Sequence, residues 1–162
     1  MNEFTQMLQT WQLFYATIAT ASATLAGLLF VSLSLNRDRL DEHARLFARS
    51  TFGNLINVLV LALIFLVPHQ QPSGLSVALF AFGCASIVPV LAQAFQLFRH
   101  SHFRAAAAAR LIALPLALSL AMLVLAIMIY KRQPTAMYWP IAIIVILLGS
   151  ASTNAWEILF RE

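Results

Sequence analysis

Of the chain's 162 residues, 61% are hydrophobic and only 10% charged, whereas soluble domains carry about 25% charged residues. That balance, with a mean hydropathy of +0.83, excludes an ordinary soluble domain and leaves no room for one beside the apolar runs. The net charge of +4 is not a nucleic-acid signature, because the basic residues stand in short connectors where they report orientation in a membrane.

The first ten residues lack Lys and Arg, and no small-residue cleavage site follows, so a removable signal peptide is not expected. Phe4, Met7 and Leu8 lead to Trp11 as a short interfacial segment, since Trp and Tyr favour the headgroup level. The first span covers about 11–36. Its centre, Tyr15 to Asn36, is uncharged and exceeds the roughly 20 residues needed to cross a bilayer core as a helix. With positions ~100° apart, Ala16, Ala19, Ala23, Gly27 and Ser34 share one side with Thr20 and Thr24, and Phe14, Ile18, Leu25 and Leu29 share the other. Small faces let membrane helices approach closely. The expectation is therefore that this helix is the inner one, packed through Ala19, Ala23 and Gly27.

A charged connector, residues 37–50, follows. Arg37/Asp41 and Asp41/Arg45 are spaced for helical i,i+4 pairing, which predicts a tight turn flanked by helical extensions. The second span, about 51–67, stops at Pro68, and Pro72 and Gly74 punctuate the loop after it. The third, about 75–98, contains Pro89, which removes one helical hydrogen bond and predicts a kink. The alanine run at 105–109 favours continued helix. The fourth span, about 111–130, is almost purely Leu, Ala, Ile and Met and reads as the most lipid-facing. Pro140 suits the first turn of the fifth span, about 141–160. The expected fold is a single all-α transmembrane domain, a bundle of five helices.

Five spans place eight of the ten Lys and Arg residues on one side, leaving Lys131 and Arg132 on the other. The positive-inside rule then predicts an outer N-terminus and a cytoplasmic C-terminus. Trp11, Tyr15, Tyr130, Tyr138 and Trp139 gather at the outer interface in that topology, as an aromatic belt does, while Trp156 marks the inner one.

Polar side chains inside the spans form stripes. Ser50, Asn54 and Asn57 lie along the second span, Ser86, Gln93, Gln96 and His100 along the third, and Ser150, Asn154, Glu157 and Arg161 along the fifth. All fall in the predicted cytoplasmic half. They have two readings: walls of an inward-facing vestibule that binds an ion or small solute, or interhelical hydrogen bonds that hold the helices together. Glu157 is the one acidic residue inside a span. It is an ion or proton site in the first reading and an interfacial carboxylate near Arg161 in the second. Ser50–Asn54–Asn57 and Ser150–Asn154–Glu157 share one spacing. An inverted transporter repeat would put them on opposite sides, so the match reads as coincidence.

His43, His100 and His102 lack the acidic or cysteine complement of a metal site, and no metal or cofactor is expected. Cys84 is the single cysteine and has no adjacent base, and no hydrolase, nucleotide or zinc-protease motif occurs. An enzyme is not expected. The run ATLAGLLFVSLSLN at residues 23–36, closing on a charged turn, resembles a recurring start of small bacterial multi-pass inner-membrane proteins. The resemblance implies a bacterial inner-membrane home and carries over no activity and no site residue. The expected partners are the lipid bilayer, further copies of the chain, and a possible larger membrane protein; nucleic acid is not among them. Two functions follow: a homo-oligomeric channel or transporter for an ion or small solute, or a non-catalytic accessory or modulator subunit packing against a larger complex.

Overall fold

The computed structural model describes residues 3–36, 42–68, 70–99 and 105–159. They form five α-helices: α1 Glu3–Leu35, α2 Glu42–Leu66, α3 Pro72–Arg99, α4 Ala105–Tyr130 and α5 Trp139–Leu159. A 3₁₀ turn at Pro134–Tyr138 leads into α5, and no strand occurs among the described residues. Each helix contains a stretch long and apolar enough to cross a membrane, from Leu8–Leu35 in α1 to Trp139–Trp156 in α5. The helices expected from hydropathy are thus present. The alanine run opens α4 as its helix propensity predicts.

The chain divides into two compact units, one of residues 1–69 with 141–162 and one of residues 70–140. In the first, α2 presents a continuous stripe of Ala48, Thr51, Asn54, Leu55, Val58, Leu61, Ala62 and Phe65, all buried. Steps of three and four residues keep that stripe on one helical face. The α1 ring of Tyr15 stacks on Phe65 at 4.6 Å between centroids and 13° between planes. Ala26 of α1, Leu55 of α2 and Ala151 of α5 form a small core, with Leu29, Phe52, Ile56 and Leu148 packed around it. Tyr15 is early in α1 and Phe65 late in α2, so these two helices run antiparallel.

This arrangement corrects the expectation that α1 is the inner helix. Only 17% of its apolar window is buried within the chain, against 39% for α2. Of the three predicted packing residues, Ala19 is buried, whereas Ala23 and Gly27 are exposed. The inward stripe of α1 is instead Leu8, Tyr15, Ala19, Ser22 and Ala26. The physical reason lies in the threonines. Thr17, Thr20 and Thr24 donate to the carbonyls of Leu13, Ala16 and Thr20 at 2.8, 2.9 and 2.9 Å. Their hydroxyls are satisfied by their own helix, so this face loses little by turning outward.

The second unit is the α3–α4 pair. A Cβ added at Gly83 would lie 2.8 Å from Leu123 Cδ2 and 3.2 Å from its Cγ, so the α4 leucine packs directly over the bare glycine. Ser76 Oγ donates to the Ala126 carbonyl across the pair at 2.8 Å. Ser86 and Ser119 meet at 2.8 Å, and Ser119 Oγ reaches the Pro115 carbonyl at 2.9 Å. Far from being the barest lipid-facing helix, α4 is tied to α3 through these hydroxyls and has a third of its window buried, 33%. Besides Pro89 in α3, Pro115 lies inside α4.

The end of α4 closes in a Schellman motif. Gln133 N–H bonds the Met128 carbonyl at 3.1 Å and Arg132 N–H bonds that of Ile129 at 2.9 Å. Arg132 occupies the left-handed position, φ 54°, where glycine is ordinarily preferred.

Candidate functional site

The polar stripes of α2 and α5 meet. Asn54 Nδ2 donates to Ser150 Oγ at 3.2 Å, and Asn154 Nδ2 donates to Ser50 Oγ at 3.3 Å. Both asparagines are buried. Each helix therefore offers one serine and, a turn later, one asparagine, and each asparagine takes the other helix's serine. This reciprocity requires the helices to cross antiparallel, because 50 pairs with 154 and 54 with 150. The shared Ser-x-x-x-Asn spacing read as coincidence is the structural basis of the crossing. No inverted repeat is needed, since a local two-fold relation between antiparallel helices produces the same match.

Such a clamp suits a low-dielectric setting. A buried carboxamide without a partner is costly, and at each level the serine hydroxyl accepts one N–H of the asparagine. The clamp's four side chains are all uncharged. It glues helices.

The remaining predicted residues divide as follows. Asn57 is half-buried on α2, on the same stripe as Asn54. Gln93 and Gln96 stand on α3 and Glu157 on α5, with side chains outside the described part of the structure. Arg161 lies outside the described residues, as do His100 and His102; His43 stands on α2 with its side chain likewise outside. The structure thus brings together Asn54 and Asn154 and adds Ser50 and Ser150 as their partners. Among the described residues, no three His, Cys, Asp or Glu side chains group as metal ligands.

Two features escaped sequence reasoning. The first is a pair of buried hydroxyls on the inward face of α1, Tyr15 and Ser22, which have no hydrogen-bond partner among the described residues. Phe14 and Tyr15 meet edge to face at 5.3 Å, as do Trp11 and Phe14 at 5.7 Å, so the Tyr15 ring sits in an aromatic cluster with Phe65. A tyrosine assigned to an interfacial belt gives no sequence signal for this burial.

The second is a groove of about 400 Å³ between the last turns of α1 and the first turns of α2. Phe30, Leu33, Ala48 and Phe52 supply its apolar surface, and Ser34, Arg45 and Arg49 its polar one. In the sequence Arg45 read as an i,i+4 partner of Asp41 within a charged connector, and nothing there marked an apolar groove beside it. Comparison with protein-family models, with curated proteins and with solved structures finds no match.

Proposed function

We propose that the chain is a non-catalytic multi-pass protein of the bacterial inner membrane that acts by association, as an accessory or modulator packing against a membrane partner. In this reading the N-terminus is outside and the C-terminus cytoplasmic, following the distribution of basic residues. The observation that carries it is the exposure of α1. The least buried of the five spans is the one with a smooth outward face of Thr20, Ala23, Thr24 and Gly27. Their hydroxyls are internally satisfied, and helices in lipid associate through such small faces. The α2–α5 clamp supports the same reading, because it spends Asn54 and Asn154 on internal structure.

Cysteine cross-linking in native membranes tests this, in a Cys84→Ser background. Single cysteines at Ala23 and Gly27 should form adducts, while Leu25 and Ser32, exposed on the opposite side of α1, should not. An adduct of twice the chain mass identifies a second copy as the partner, and any other mass a different protein. Absence of adducts at all four positions, with the chain present in the membrane, sinks the association reading.

A second reading is kept by Asn57, half-buried on the clamp's stripe. A homo-oligomer would conduct an ion or small solute through a vestibule that includes Asn57 of α2 and Glu157 of α5. Proteoliposome flux decides it: conduction that changes with Glu157→Gln supports the vestibule, and flux equal to that of empty vesicles removes it.

A further inference from the structure

We propose that the groove between the ends of α1 and α2 is a site for one anionic phospholipid. Its volume of about 400 Å³ falls within the roughly 300–1,000 Å³ of small-molecule sites, and its surface is divided by chemistry. Phe30, Leu33 and Phe52 form an apolar floor, with Phe30 61% exposed. Arg45 and Arg49 stand one helical turn apart at the edge, both exposed.

Guanidinium groups match phosphate oxygens in a planar, bidentate fork. Ser34 cannot do the selecting, because its hydroxyl already donates to the Phe30 carbonyl at 2.8 Å. Recognition therefore falls on positive charge.

The two halves of the groove name their occupant together. A soluble phosphate has no use for the apolar floor, and a zwitterionic lipid places a positive group beside the arginines. An anionic phospholipid sets its phosphate at Arg45 and Arg49 and its upper acyl chain along Phe30, Leu33 and Phe52. The groove lies where α1 gives way to the 37–41 connector, the level of a headgroup if α1 and α2 cross the bilayer. The inference rests on that membrane-spanning reading.

The test uses the full chain, reconstituted in mixed phosphatidylglycerol and phosphatidylcholine vesicles, with retained lipid measured by native mass spectrometry after gentle solubilisation. Wild type should keep a single phosphatidylglycerol in preference to phosphatidylcholine. Arg45→Gln with Arg49→Gln should lower that preference on the order of tenfold. Leu33→Trp, which fills the groove and leaves the charge alone, should also lose the bound lipid, whereas Arg132→Gln, an exposed arginine after α4, should keep it. Retention by Leu33→Trp equal to wild type would overturn the site in favour of general surface charge. So would displacement of the lipid by millimolar glycerol phosphate, which would assign the arginines to a soluble anion. Flotation with the vesicles separates the two levels of failure: a chain that does not float defeats the membrane reading, and one that floats without lipid preference defeats only the lipid site.

Discussion

At positions 54 and 154 an asparagine buried inside an apolar helix finds a serine rather than water. Interhelical hydrogen bonds of this kind average about 0.6 kcal/mol and reach about 1.7 kcal/mol, so a double-mutant cycle can resolve them. Asn54→Ala with Ser150→Ala should show a coupling of that size, measured by unfolding in detergent. Asn54→Ala with Thr17→Ala, whose hydroxyl bonds within its own helix and shares no partner with Asn54, should be additive within about 0.5 kcal/mol. Equal couplings would remove the clamp. At Arg132 the backbone is left-handed, φ 54°, a conformation that costs a non-glycine residue about 1–2 kcal/mol, partly offset by glycine's larger entropy loss. Arg132→Gly should therefore raise stability by about 0.5–1 kcal/mol, read as a higher thermal midpoint, and Arg132→Val should lower it. The stripe of Asn54 and Asn154 was legible in the sequence; their partners were not, because spacing gives a face and not what lies opposite. Lys131-Arg132-Gln133 contains no glycine, so nothing in it marked the left-handed residue.

Among the elements, neither α1 nor α4 kept the role that composition suggested. Small residues on α1 read as a buried face, but threonines that bond back to their own carbonyls can face an apolar solvent without loss. In α4 the serine that mattered, Ser119, was hidden by its aliphatic neighbours, and its effect depends on Ser86 of α3. Gly83 of α3 packs directly against Leu123 of α4. Gly83→Leu should destabilise the α3–α4 pair by about 1–3 kcal/mol, the usual cost of overpacking. Gly83→Ala should cost less, since the nearest atom is the mobile end of Leu123. A thermal midpoint for Gly83→Leu equal to wild type would mean that the helices are not closely packed there.

For the molecule as a whole, the proposed topology makes one direct prediction. Reporter fusions after residues 43 and 135 should give cytoplasmic and external signals respectively, because the first connector is rich in arginine and the second carries only Lys131 and Arg132. An external signal at 43 would invert the orientation and place the arginine-edged groove on the outer face. The division of the chain into residues 1–69 with 141–162 and residues 70–140 brings α5 to the unit of α1 and α2. Helices that are distant in sequence share a core there, at Ala26, Leu55 and Ala151.

Although α1 and α2 start eight and nine residues before the expected spans, the sequence by itself determined that the described residues are helical, how many apolar helices they form, and where each helix stops. These follow from local quantities: hydropathy over about 20 residues, proline as a breaker, and alanine as a helix former. Only the tertiary structure decided which face of each helix is inside. Small, hydroxyl-bearing residues are compatible with a close helix contact and with lipid alike, and the choice is made by the facing helix. For the same reason the matched Ser-x-x-x-Asn motifs acquired meaning only when α2 and α5 were seen to cross antiparallel, each completing the other.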